Sequence, residues 1–441
     1  MAAVATGLAT VMAWVAAAAA STPAAATQVI VGPSHWHQFD MSPTHNAVYH
    51  AAGAGVSWSL ELKSQPLWLM VVKHTVYLGS LGGVVHAIDA TTGQVRWRSR
   101  PTLAQDAWQL TYAQGRIYGG TGNSIFAMMK PGDWCRGTAM KGGFSLGVFA
   151  LDPATGKTLW TLPTSCTTSV TAFHGGVLFA PDRHNWLRAI DPATGKLLWK
   201  VPDGGVDDVS YPAISHGVIY LNAGGPRPPG LRAFKLHAAA ATPATKVWSY
   251  LDTDADNAPT VGDGVIMTTN CLPITSNGKE YMQDQMVGVS LAGKLLWSHT
   301  TQAGPRPFSY CAPDGTYAHG AFYVGSWETP YLYAFAATTG KILWRSRLQA
   351  HVGATNPVIA GGYAFVTTVN GYVDAVNLAT GKIAGTKFLR PAVLGSPVLV
   401  DGTLFIPGWS GGSKQVNLGI LVPGYVWAVP VRELLPAWPA G

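Results

Sequence analysis

Apolar and polar residues alternate in short runs. Val85 and Ala87 lie on one side of a turn, Val95 and Trp97 on the other. This is the period of two that a half-buried strand requires. The turn between them reads Asp89-Ala90-Thr91-Thr92-Gly93. An Asp at the start of a turn bonds the backbone just ahead of it, and Gly supplies a left-handed position. The unit predicts a hairpin ending on a large flat indole, suited to packing between neighbouring sheets.

The unit recurs. Residues 150–160 read ALDPATGKTLW and 189–199 read AIDPATGKLLW, while 289–297 (VSLAGKLLW) and 334–344 (AFAATTGKILW) are weaker copies. Residues 376–385 keep the turn and lose the Trp, and 233–248 carry a longer, Ala-rich turn. A second motif, Gly-x-x-Tyr/Phe, precedes each copy, at Gly115, Gly176, Gly217, Gly264 (with Met267), Gly320, Gly362 and Gly402, with Thr75 to Leu78 as the eighth. Each repeat is about four strands long, which is one propeller blade. The last repeat ends near residue 429 without a turn and Trp, and residues 56–60 (VSWSL) look like its missing strand. The N-terminus would then close the ring and hide an exposed edge. The expectation is an all-β, eight-bladed β-propeller. A signal peptide over 1–26 and a lead-in over 27–54 precede a propeller over 55–441, with an insertion at 120–147 in blade two.

Composition adds one feature. Only 12% of residues are charged, 22 acids against 29 bases, for a net charge of +7. That is about half the usual charged fraction. The bases are scattered singly, so nucleic acid is not an expected partner, because it wants a concentrated basic face. A surface with few carboxylates has few native pairs to lose by protonation in acid, and less self-repulsion afterwards. Adaptation to an acidic exterior gives such a composition, and so does a lineage bias toward Ala and Gly codons.

Residues 1–20 are rich in Ala and Val and uncharged, and Ala24-Ala25-Ala26 offers a small-residue cleavage site. The first basic residue is Lys63, so an uncleaved anchor and a misplaced start codon stay open as alternatives. No later segment is apolar enough to span a bilayer, and no stable membrane span is expected after cleavage. The cysteines are Cys135, Cys166, Cys271 and Cys311. Three pairings are open to them; the pairs close in sequence, Cys135 with Cys166 and Cys271 with Cys311, are the expected ones. No CxxCH or CxxC pattern points to haem or zinc.

The AxDxxTGKxxW units resemble the tryptophan-docking repeats of quinoprotein alcohol dehydrogenases and their relatives. Residues 36–48 (WHQFDMSPTHNAV) resemble the lead-in of many such propellers. The resemblance covers nearly the whole mature chain and implies the fold; the superfold itself carries unrelated activities. Three groups come into question. Quinoprotein dehydrogenases hold pyrroloquinoline quinone (PQQ) and calcium under a disulfide of adjacent cysteines. No adjacent cysteines occur here, the chain is shorter than is typical, and no segment matches the calcium ligands. The expectation is therefore no cofactor, neither PQQ nor calcium, and no metal. The outer-membrane assembly lipoprotein is a scaffold carrying a lipidated Cys, which is missing here. Tetrathionate hydrolases of acidophilic sulfur oxidisers are exported propellers without the quinone, and residues 120–147 are similar to that group's early-blade loop. That last resemblance implies cleavage of a small anionic sulfur substrate, tetrathionate, to thiosulfate, sulfur and sulfate, and it suggests a homodimer.

Propeller ligands bind at the mouth of the central channel, lined by the residues that lead into each innermost strand. Read from the second motif, these are Trp108 and Gln109; 166–169; Asp207, Asp208 and Ser210; Asp254, Asp256 and Asn257; Ser309, Tyr310 and Cys311; Thr355 and Asn356; and Gly395 with Ser396. Asp207, Asp208, Asp254 and Asp256 concentrate scarce acids on adjacent blades. Close like charges raise one another's pKa, so Asp254, Asp256 or Asp208 can work as acid or base in mild acid. Asp also caps turns, which is the purely structural alternative. A dianion needs donors, and Arg136, Arg183 and His184 are the candidates, with Trp108, Gln109, Asn257, Tyr310 and Asn356 completing the mouth. A free Cys166 or Cys311 is the other candidate, as a nucleophile forming a transient thiosulfonate.

Overall fold

The repeat folds as its periodicity predicts, one antiparallel sheet per copy. A computed structural model of the chain describes residues 48–49, 53–101, 106–122, 146–164, 166, 168, 171–182, 186–204, 212–223, 230–250, 258–305, 314–353, 355–410 and 422–439. In blade one, Pro66–Val72, Thr75–Ser80, Val85–Asp89 and Val95–Ser99 pair in chain order. The next six blades lie at 106–163, 172–202, 213–250, 260–305, 315–347 and 358–388. Blade eight takes its inner strands from 393–430 and its outermost strand, Trp58–Leu62, from the other end of the chain. That closing strand lies two residues later than expected, with Trp58 opposite Ala428. The first strand of blade one meets the inner strands of blade eight, which closes the ring of eight.

The docking motif explains why blades adhere. A small residue faces each indole across the outer strand pair: Ala87 and Trp97, Ala150 and Trp160, Ala189 and Trp199, Ala334 and Trp344. The indole packs on the second-strand aromatic of its own blade, as for Tyr77 and Trp97 (centroids 5.8 Å apart) and Tyr118 and Trp160 (5.9 Å). Its N–H then crosses to the next blade. Trp97 donates to the Pro153 carbonyl at 3.0 Å, Trp160 to Pro192 at 3.1 Å, and Trp58 to Ala90 at 2.8 Å. The receiving turn is set by its Asp: Oδ1 of Asp152 accepts the N–H groups of Ala154 and Thr155 at 3.0 and 2.8 Å. At the equivalent Asp89, hydrogen bonding from Arg96 lowers the carboxyl to about 2.

Blade seven lacks the indole, and Gly385 faces Ala375 instead. The C-terminus fills the place. After the strand Gly424–Pro430 and the 3-10 turn Val431–Glu433, the Leu434 backbone lies where a side chain on Gly385 would stand. Trp438, 8% exposed, packs against Phe365. An ion pair between Lys387 and Glu433 at 2.5 Å ties the outer strand of blade seven to this turn. Blade five departs differently. Its second and third strands, Val265–Ser276 and Lys279–Ser290, are 12 residues each, joined by Asn277 and Gly278 at φ 52° and 70°. Both central residues at positive φ make the tight hairpin that Asn-Gly favours.

Candidate functional site

In every blade one residue of the first strand pairs with the second-strand aromatic or its substitute. Met70 pairs with Tyr77, Thr111 with Tyr118, Thr260 with Met267, Thr316 with Tyr323, Val358 with Phe365 and Val398 with Phe405. Counting back two residues gives the same ring position in each blade. It is held by Trp68, Gln109, Ala258, Asp314, Asn356 and Ser396 in blades one, two, five, six, seven and eight. In blades three and four it falls on residues 170 and 211, outside the described residues.

Adjacent blades are stitched together at this level. The Ala258 N–H donates to Asp314 at 2.5 Å and the Asn356 N–H to the Ser396 hydroxyl at 3.1 Å. One step along the strands, the hydroxyls of Thr111, Thr260 and Thr316 donate to the carbonyls of Thr171, Gly315 and Pro357 at 2.6, 2.7 and 2.7 Å. Gln109, Asp314, Asn356 and Ser396 are buried. Among the described residues the Gln109 Oε1 and the Thr355 hydroxyl have no hydrogen-bond partner. Gln109 holds the ring position and Thr355 lies beside it.

Burial pushes the Asp314 carboxyl up to about 7. Asp284, on the long hairpin of blade five, is raised to about 6 by burial, with one oxygen accepting the Ser326 hydroxyl at 2.8 Å. Below these values each is a neutral acid that can donate a hydrogen bond. The sequence reading missed Asp314. It placed the blade-six lead-in at Ser309, Tyr310 and Cys311, because five residues before Gly320 blade six has Gly315, where blades four, five, seven and eight have Pro to mark the register. Counting six residues back from Gly320 would have found it.

The other expected residues divide. Gln109 and Asn356 share the ring position. Trp108 lies in the strand Asp106–Ala113, and Cys271 pairs with Asp284 in the backbone register. Cys166 is disulfide-bonded, which removes it as a free nucleophile; no cysteine is free among the described residues. Asp207, Asp208, Asp254, Asp256, Asn257, Arg136, Arg183, His184, Tyr310, Cys135 and Cys311 lie outside the described residues.

Ring closure, indole docking and a mouth built from first-strand residues define a quinoprotein-like eight-bladed propeller. A family model described as outer membrane protein assembly factor BamB matches residues 147–311 and 314–415, and the chain belongs to that family. It is also similar to the tetrathionate hydrolase of Acidithiobacillus ferrooxidans, 24% identical over 429 residues, covering 85% of this chain and 84% of the relative. Among solved structures it resembles a europium-containing methanol dehydrogenase, with a TM-score of 0.61 at 14% identity over 90% of this chain and 98% of the other. A quinohemoprotein alcohol dehydrogenase from Comamonas testosteroni gives a TM-score of 0.62 at 14% identity, over 90% and 80%. The likeness to tetrathionate hydrolase and the propeller type were both legible in the sequence.

The expectation of a chain without cofactor is corrected by the same findings, since the structural neighbours are named as metal-containing and quinone-containing dehydrogenases. The described part of the mouth offers few hard ligands for an ion. Its ring position holds one acid, Asp314, beside two amides and a hydroxyl, and no three His, Cys, Asp or Glu converge among the described residues. This donor set does not by itself fit a calcium or lanthanide ion.

Proposed function

We propose that this chain is an exported enzyme that hydrolyses tetrathionate in acid. The observation that carries the reading is the 24% identity, because it runs over 85% of the chain and 84% of the hydrolase. One tetrathionate and one water give thiosulfate, sulfur, sulfate and two protons. The substrate is a dianion. The amides of Gln109 and Asn356 and the hydroxyls of Thr355 and Ser396 are neutral donors suited to sulfonate oxygens. An ionised carboxylate among them would repel the substrate, whereas Asp314, raised to about 7, is neutral in acid and donates. Arg136, Arg183 and His184 hold the sulfonates, with Trp108, Asn257 and Tyr310 around them. Asp254, Asp256 or Asp208 activates the water. The leader at 1–26 carries the chain out of the cytoplasm, and no helix among the described residues is long and apolar enough to cross a membrane.

The test is release of thiosulfate and sulfate from tetrathionate at pH 3 to 4 with no electron acceptor present. Turnover supports the reading, and its absence overturns it. If Asp254→Asn and Asp256→Asn both keep full turnover, water activation by those two acids is wrong while the substrate assignment stands. The family match over 147–311 and 314–415 favours a second reading, a non-catalytic scaffold. Its signature is a partner from the outer-membrane assembly machinery retained in pull-down by a protein that turns nothing over.

A further inference from the structure

Blade seven carries a fifth strand. Val48–Tyr49 pairs parallel with its innermost strand, Val358–Ala360, with Val48 opposite Ile359 and Tyr49 opposite Ala360. One edge of an innermost strand is taken by the second strand of its blade, so a partner on the other edge lies in the central channel. Val48–Tyr49 also lies against the first strand of blade six, Gly315–Ala318. First strands run away from the mouth, since the ring residue Asn356 precedes Val358. The parallel pairing gives Val48–Tyr49 the same direction. The chain that follows agrees. Gly53 is so close to Asp401 that a Cβ on it would stand 2.4 Å from the Asp401 carbonyl oxygen, and its N–H donates to the Pro439 carbonyl at 3.2 Å. Asp401 lies in the turn between the first and second strands of blade eight, at the end of the channel away from the mouth. The chain then runs back as Trp58–Leu62 on the outside of blade eight. The channel wall is a closed ring of first strands, so the residues before Val48 reach the channel through the mouth.

We propose that residues 45–47 continue this strand up to the mouth and that His45 stands beside Asn356 as a donor to the bound anion. Counting back three residues from Val48 and Ile359 pairs His45 with Asn356. Three extended residues span about 10 Å. No Pro interrupts them, and Pro43 comes just beyond. The inference deepens the hydrolase reading and rests on it, because a dianionic substrate asks for a cation. Among the described residues the ring position holds no Lys, Arg or His. An imidazole with an ordinary pKa of about 6.5 is a cation in acid, and its N–H bonds to a sulfonate are then charge-assisted. Its neighbours at that level are Asn356, Ser396 and Asp314. Asp314, raised to about 7 by burial, is neutral in acid and leaves the cation to the substrate.

Thiosulfate, a dianion that needs no turnover, is the probe, titrated into the full-length protein by calorimetry at about pH 5, below the ordinary imidazole pKa. One saturable site is expected. His45→Gln should weaken it about tenfold or more, as loss of a hydrogen bond between charged groups does. His237→Gln, in an exposed turn at the far end of blade four, should leave it unchanged. Placement has its own readout. His45→Cys combined with Asn356→Cys should form a disulfide, found by mass spectrometry as a cross-linked peptide, since neighbouring strand positions lie within disulfide reach. If Asn356→Cys prevents folding, a photo-crosslinking amino acid in place of His45 should attach to the mouth of blades six to eight. Absence of both crosslinks, no saturable thiosulfate binding, or binding that His45→Gln leaves intact overturns the proposal. Crosslinking and His45-dependent binding in a protein that leaves tetrathionate whole would sink the hydrolase reading and keep this one.

Discussion

Trp438 stands edge-on to Phe365, ring centroids 5.7 Å apart and planes at 80°. In the neighbouring blades an outer-strand indole holds that place, as Trp344 does beside Tyr323 at 5.8 Å. The chain supplies the missing indole from its C-terminus. Blade eight is thus closed by Trp58–Leu62 from one end of the chain, and the junction before it by residues 431–438 from the other. Truncating a buried Trp to Ala costs about 3–5 kcal/mol. Trp438→Ala should lower unfolding stability in urea by that order. Leu343→Ser, on an outer strand at 53% exposure, should change it by less than about 0.5 kcal/mol. Equal effects of the two would show that the C-terminal segment does not hold the ring.

Gly156 and Gly115 separate backbone from packing. Both have left-handed backbones, φ +72° and +73°. A Cβ on Gly156 would lie 2.5 Å from the Trp97 ring, whereas one on Gly115 meets nothing within 4 Å. Both Ala variants bear the left-handed cost of about 1–2 kcal/mol. Gly156→Ala adds overpacking of about 1–3 kcal/mol against the docked indole. Thermal melts of the two should rank Gly156→Ala clearly lower. If they melt together, glycine is not needed for docking.

Much of this was readable in the sequence because it is repeated. The docking Trp, the turn Asp and the turn Gly recur at fixed spacing, and each does the same work in the blades that keep it. What escaped was whatever occurs once. Trp438 follows no repeat, so nothing marked it as the partner of Phe365. The Asn277-Gly278 hairpin lengthens one blade and has no counterpart. Asp314 was hidden because Gly315 stands where four other blades carry Pro, which shifted the expected lead-in of blade six by three to five residues. Cys166 was legible as half of a disulfide or as a thiol, and oxidation state is a property of the folded pair. The expected absence of a cofactor rested on motifs not found, which is a weaker kind of inference than a repeat that is present.

Asp314 gives a pH dependence with a definite sign. Burial raises its carboxyl from an ordinary 3.8 to about 7. Between those values the folded chain holds a proton that the unfolded chain releases, so stability falls as pH rises through that window. Asp284, raised to about 6, and Asp374, also raised by burial, act in the same direction. His86 opposes them: burial lowers it to about 4, so stability falls instead as pH drops from 6.5 toward 4. Asp89, lowered to about 2, loses its contribution only as pH falls below 3.8. Asp314→Asn keeps an oxygen to accept the Ala258 N–H and removes the titration. At pH 4, where the native carboxyl is already neutral, variant and native protein should unfold alike. Above pH 7 the variant should be the more stable of the two. Parallel stability curves from pH 4 to 8 would mean that Asp314 titrates as an ordinary acid.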